Sequence, residues 1–201
     1  MKIKKWEIAL FAAILISVFV GSLSLRQTEL SENLIRLHVV ANSNSEEDQS
    51  LKLSVRDAVL EKLDEILEGC KDKEQAEALI LSNIDTLTQA ASEVISEKGG
   101  EFSVNTSLTR EVFPRVSYEN YTLPAGKYSS LRVVIGEGEG DNWWCVIFPP
   151  LCFTIAEDTI SYEELGLSDE TLRIISEDSE GYVVKLKLLE WISDIKLWLG
   201  G

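Results

Sequence analysis

The chain is predicted to be an α+β domain: a mostly antiparallel sheet of about four strands packed against two long helices, with a C-terminal amphipathic helix. Three observations predict it. Apolar residues alternate at Ile35, Leu37 and Val39, and again at Phe102, Val104 and Leu108, which is the period of a strand. Between those stretches, apolar residues recur three and four apart along two segments, the period of a helix lying on a core. The elements run strand, helix, helix, strand, strand, strand, and that order lets a helix pair cover one face of the sheet.

The first strand is read from Asn33 to Val40, with Arg36 and His38 alternating against the apolar set. Asn42-Ser43-Asn44-Ser45 breaks it, and Glu46, Glu47 and Asp48 give the acidic first turn that follows a helix N-cap. Leu51, Val55, Ala58, Val59, Leu63, Ile66 and Leu67 mark one face of that helix, which should end near Gly69. Asp72 and Gln75 have the spacing of a capping box for the second helix. Its stripe is Ala76, Leu79, Ile80, Ile84, Leu87, Ala91, Val94 and Ile95, stopped by Gly99-Gly100. A strand then runs from Phe102 towards Phe113-Pro114, and Tyr118 to Gly126 reads as a loop. Tyr128–Ile135 and Asn142–Phe148 are two further strands, read as a β-hairpin whose long, flexible tip is Gly136–Asp141. In the tail, Leu188, Trp191, Ile192, Ile195, Trp198 and Leu199 fall at helical spacing, a helix that packs back on the domain. The competing reading of that helix is an exposed, Trp-bearing element that docks on a membrane or a partner.

Composition narrows the function classes. A formal charge of −15 over 201 residues excludes a nucleic-acid binder that relies on clustered Lys and Arg, and disfavours adhesion to anionic lipid. Lys2, Lys4 and Lys5 precede an apolar run from Ile8 to Val20, and Gly21, Ser22 and Ser24 supply small residues after it. Residues 1–25 therefore read as a signal peptide, or as an N-terminal anchor if the apolar stretch extends through Leu25. The basic end stays cytoplasmic in both cases, so the rest of the chain is exported. Residues 26–153 form the core domain, and residues 154–201 an acidic connector with the C-terminal helix. Export makes a local disulfide between Cys145 and Cys152 chemically reasonable across Pro149-Pro150; two small buried hydrophobes are the alternative. Cys70 is left over in a helical pattern.

The search for catalytic chemistry comes back thin. His38 is the only histidine, and no G-x-S-x-G elbow accompanies it, so a strand histidine is the simpler account than a triad member. Three cysteines and one histidine cannot build a zinc site if two of those cysteines pair. Glu137, Glu139 and Asp141 alternate with glycines outside any EF-hand framework and read as solvated carboxylates rather than calcium ligands. The Gly136-x-Gly138-x-Gly140 run lacks the helix and the basic residue of a phosphate loop, so no cofactor is expected. Trp143-Trp144 is different: neighbouring strand residues point to opposite faces, so one indole can enter the core while the other anchors an interface. Arg36, His38, Arg132, Trp143 and Trp144 are the candidate partner-binding residues, chosen on chemistry alone.

Two motifs carry a resemblance. Leu34-Ile35-Arg36-Leu37-His38-Val39-Val40-Ala41-Asn42-Ser43, with Asp48-Gln49, Lys52 and Val55-Arg56-Asp57-Ala58-Val59, resembles the start of the stage II sporulation protein R family. Pro124-Ala125-Gly126 with Tyr128, then Leu131–Gly136 leading into Trp143-Trp144-Cys145 and Pro149-Pro150-Leu151-Cys152, resembles its later part. The likeness spans residues 33–153 and includes the short N-terminal hydrophobic segment. It implies a signalling protein of endospore formation, exported from the forespore into the space between the two sporulation membranes. It further implies that the partner is a membrane-embedded aspartic protease that processes the sigma-E precursor, and that the protein catalyses nothing itself. The competing classes are an exported cell-wall or peptide hydrolase and a membrane-anchored structural module.

Overall fold

The computed structural model describes residues 10, 11, 14, 17, 18, 31–118 and 122–150. The predicted Cys152, the acidic connector and the C-terminal helix lie outside the described residues, as does most of the N-terminal segment. Leu10, Phe11, Ile14, Ser17 and Val18 are helical. Among the described residues no helix is long and apolar enough to cross a membrane.

The chain divides into two compact units, one formed by Asn33–Phe113 and Lys127–Leu167, the other containing Pro114–Gly126. In the first, strand β1 (Ile35–Val40) is followed by α1 (Glu46–Leu67), α2 (Lys73–Ser82), α3 (Ile84–Glu97) and β2 (Val104–Phe113). In the second, β3 (Val116–Ser117) and β4 (Thr122–Leu123) form a small antiparallel ribbon, β4 falling inside the segment from Tyr118 to Gly126 expected to be a loop. Its side-chain link is Thr122 Oγ1 to Ser117 Oγ at 3.1 Å. Strands β5 (Gly126–Ile135) and β6 (Asn142–Phe148) complete a four-stranded sheet of order β2-β5-β1-β6.

The α+β class and the mostly antiparallel sheet are as expected, and two details differ. Residues 128–148 are not a hairpin: β1 lies between β5 and β6, parallel to the first and antiparallel to the second. The reason is burial. Ile35, Leu37 and Val39 on one face and Arg36 and Val40 on the other are all buried, so β1 has to sit in the interior of the sheet. β2 runs antiparallel to β5, since the Gly136 N–H donates to Ser103 O at one end (2.8 Å) and the Phe113 and Tyr128 rings meet at the other (5.9 Å). The second long helix is also interrupted. Asn83 sits at φ −117°, ψ 16° and its amide donates to Leu79 O at 2.9 Å, a side-chain bond that competes with the helical ladder and separates α2 from α3.

The capping expectations hold. Ser45 Oγ accepts from the Asp48 N–H at 3.1 Å to start α1, and Asp72 Oδ1 accepts from the Gln75 N–H at 2.8 Å to start α2. The helices cover one sheet face. Leu51, Val55, Val59 and Leu63 of α1, with Ile80 of α2 and Leu87 and Ile95 of α3, pack over Ile35, Leu37, Val39, Leu131, Val133 and Ile147. Each such side chain contributes about 1.5–3 kcal/mol when fully buried.

Candidate interaction face

The opposite face of the sheet carries most of the residues singled out by chemistry. Alternation along β1 turns Arg36 and His38 away from the helices, and strand pairing sets His38 beside Arg132 of β5 and Trp144 of β6. A row thus crosses the sheet: Glu111, Arg132, His38, Trp144. His38 Nδ1 lies 3.1 Å from Glu111 Oε2, and His38 Nε2 lies 2.7 Å from Asn142 Oδ1. Which nitrogen donates depends on the tautomer. Glu111 also faces Arg132, Oε1 to Nε at 3.5 Å.

Aromatic rings surround this row. Phe113 meets His38 at 5.9 Å and Trp144 at 6.5 Å between centroids, and Trp144 lies 6.0 Å from His38. The Arg36 guanidinium stacks 4.0 Å over Phe113 and 5.1 Å from the Tyr128 centroid, cation–π contacts that suit a desolvated guanidinium. Arg36 is fully buried, so its place is beneath the face rather than on it. His38 and Glu111 are part-exposed at 12% and 19% of their side-chain surface, and Arg132 is open at 43%.

Trp143 is not part of this group. It points to the helix side, packs on the main core and lies 4.7 Å under the Arg56 guanidinium. The tryptophan pair therefore divides between the two faces, one indole to each. Cys145 is buried in the core and disulfide-bonded, while Cys70 is a free, half-buried cysteine whose thiol burial pushes up.

A second polar structure fixes the strands that present the face. The Gly136–Asp141 segment is not a free tip; it lies on the turn after β1. The Glu137 N–H donates to Asn42 Oδ1 (3.1 Å), Glu139 N–H to Asn42 O (3.1 Å), Gly140 N–H to Ala41 O (2.9 Å) and Asp141 N–H to Asn44 Oδ1 (2.7 Å). Gly136 adopts φ +57°, and a Cβ there would collide with Asn42 Oδ1. Asn42 and Ser43 in turn donate to Asp48 Oδ2 at 2.8 and 2.6 Å. Those bonds, Ser43 first and then Asn42, hold the Asp48 carboxyl below the usual carboxylate range. Lys52, buried, donates to Gln49 Oε1 (2.6 Å) and Asp141 O (3.0 Å), and burial lowers its ammonium against the opposing pull of Asp141.

Of the five candidates chosen on chemistry, the structure brings Trp143 to one side of the sheet and Arg36, His38, Arg132 and Trp144 to the other, beside Glu111, Asn142, Phe113 and Tyr128, which sequence reasoning did not single out. Their signal was the alternation of β2 and β5, which places Glu111 and Phe113 on the Arg132 side once the strand order is known. Among the described residues no group of three or more His, Cys, Asp or Glu could hold a metal ion.

Comparison with known proteins gives a consistent result. A family model described as Stage II sporulation protein R matches residues 31–158. A curated relative, "Stage II sporulation protein R" of Bacillus subtilis (strain 168), is 31% identical over 189 residues, covering 83% of this chain and 83% of its own. No solved structure matches.

Proposed function

The chain belongs to the stage II sporulation protein R family, and from that membership we propose that it is an exported, non-enzymatic activator of a membrane-embedded aspartic protease. Sporulation is the process the family name carries. The finer reading is that the protein crosses the forespore membrane, either released or anchored by its N-terminal segment. It then binds the protease that processes the sigma-E precursor. Activation works by preferential binding to the active arrangement of the partner, which shifts its population; moving such an equilibrium from 1:99 to 99:1 takes about a 10⁴-fold difference in affinity.

The observation that carries contact over bond-making is the engagement of His38. Both ring nitrogens of the chain's only histidine are spent on Glu111 and Asn142. That is the arrangement of a cross-strand pin, whereas a general base needs one nitrogen directed at the proton it removes. Trp144 and Arg132 flank the pin with the aromatic and guanidinium chemistry that dominates binding hot spots.

The test is a mother-cell reporter read in sporulating cells that express variants. His38→Gln should keep a measurable part of the signal. Trp144→Ala should cut the signal about tenfold or more with the exported domain still folded. Trp143→Ala should instead lower thermal stability, because its indole belongs to the core. Full signalling from a variant lacking both indoles, or hydrolysis of peptidoglycan or peptide by the purified protein alone, would overturn the proposal.

A further inference from the structure

We propose that the β2 edge, which no other described strand pairs, is a docking site where an extended segment of the partner joins the sheet. The inference rests on the activator reading and names the surface through which it would act. Among the described residues β2 ends the strand order, with β5 as its one neighbour in the sheet, and it offers ten residues of edge. Edge strands are ordinarily blunted by lysines, prolines or shortness. Val104–Phe113 contains neither Lys nor Pro and is as long as β5. Asn105, Thr109, Arg110 and Val112 are exposed, so both faces of the strand are open along this edge.

The side chains beside the edge define what fits. Val104 and Leu108 pack against the core but stay only half-buried, and Val112 is 56% exposed, so apolar area remains to be covered on the helix-backed side. An added strand with alternating apolar residues would cover Val104, Leu108 and Val112. Arg110, exposed on the same side, selects a carboxylate at its facing position.

A second copy of this chain fits worse. Residues that face each other in an antiparallel pair share a sheet face, so in a self-paired β2 the alternating Arg110 and Glu111 never meet. Two molecules of charge −15 would have to approach without that compensation. The occupant is therefore a foreign extended segment that alternates apolar and polar residues and carries a carboxylate.

Amide hydrogen exchange of the full chain, alone and with the detergent-solubilised protease, tests this. The expected result is a complex in which exchange slows across residues 104–112. Arg110→Glu should weaken that complex about tenfold, and Arg110→Lys much less. A complex that leaves β2 exchange unchanged would overturn the edge proposal while leaving the activator reading intact. Failure to form any complex would overturn the activator reading and the edge proposal together. A dimer of the protein alone, protected at β2, would overturn the choice of a foreign strand.

Discussion

The two faces of the sheet are built by different rules. The helix-backed face is mainly aliphatic and is closed except along β2, and the helical region over it, residues 46–97, carries fourteen carboxylates against five Lys and Arg. On the other face His38 and Arg132 both meet the Glu111 carboxylate, and Arg36 lies beneath them against Phe113 and Tyr128. The first face is held by burial, which is non-directional and sets the fold. The second is held by cross-strand polar and aromatic contacts, which are directional and individually modest. The second face can therefore vary without dismantling the first.

Leu37 and His38 break or sharpen that contrast most directly, being neighbours in β1 that point to opposite faces. Leu37 is fully buried in the core cluster, so Leu37→Ala should cost about 2–5 kcal/mol of unfolding free energy. His38→Ala removes the part-exposed contacts to Glu111 and Asn142 and should cost about 1 kcal/mol. Urea unfolding of the purified protein measures both. Equal losses would mean that the polar row contributes to the fold as much as the core does.

The contrast also depends on register, because shifting β6 by one residue would exchange Trp143 and Trp144 between the faces. The interlock between Asn42–Asn44 and Gly136–Asp141 holds that register from the end of β1. Gly136→Ala attacks it at its tightest point, adding both an unfavourable positive φ and a clash with Asn42. The expected loss is about 1–3 kcal/mol, read as a lowered thermal midpoint. A wild-type midpoint would show that the crossing is held by β6 pairing alone.

That interlock also marks where the sequence stopped being legible. The helical stripes, the Ser45 and Asp72 caps and the strands at β1, β5 and β6 follow from periodicity and capping, which act within a few residues. The hairpin reading of residues 128–148 failed because strand order is set by non-local pairing, and the two strands are indeed antiparallel to each other with β1 inserted between them. The Gly-x-Gly-x-Gly run had a visible signal, positive φ and close approach, but its partner, the Asn42 side chain, lies 95 residues away from Glu137. The break at Asn83 was masked by a continuous apolar stripe through Ile80, Ile84 and Leu87. For the face itself, Arg36, His38 and Trp144 were legible from strand alternation, whereas Glu111 and Asn142 acquire meaning only when β2 and β6 are brought alongside β1 and β5.

The smallest effect tests the same interlock through pH. Asp48 accepts bonds from Ser43 and Asn42 in its charged form, which depresses its carboxyl in the folded protein. The unfolded chain therefore binds that proton more readily, and stability rises with pH through this window. The contribution is fully present above the ordinary aspartate value of about 3.9 and is lost as the pH falls through the lower folded value. Asp48→Asn removes the titration and the charge that faces the first turn of α1, at an expected cost of about 1 kcal/mol at neutral pH. Denaturant unfolding of both proteins from pH 7 to 3 should show the gap between them closing at the acid end. A gap that stays constant would mean that Asp48 holds the turn by shape and neutral hydrogen bonding, and the clamp would then belong with the closed, pH-indifferent face of the molecule rather than with its polar one.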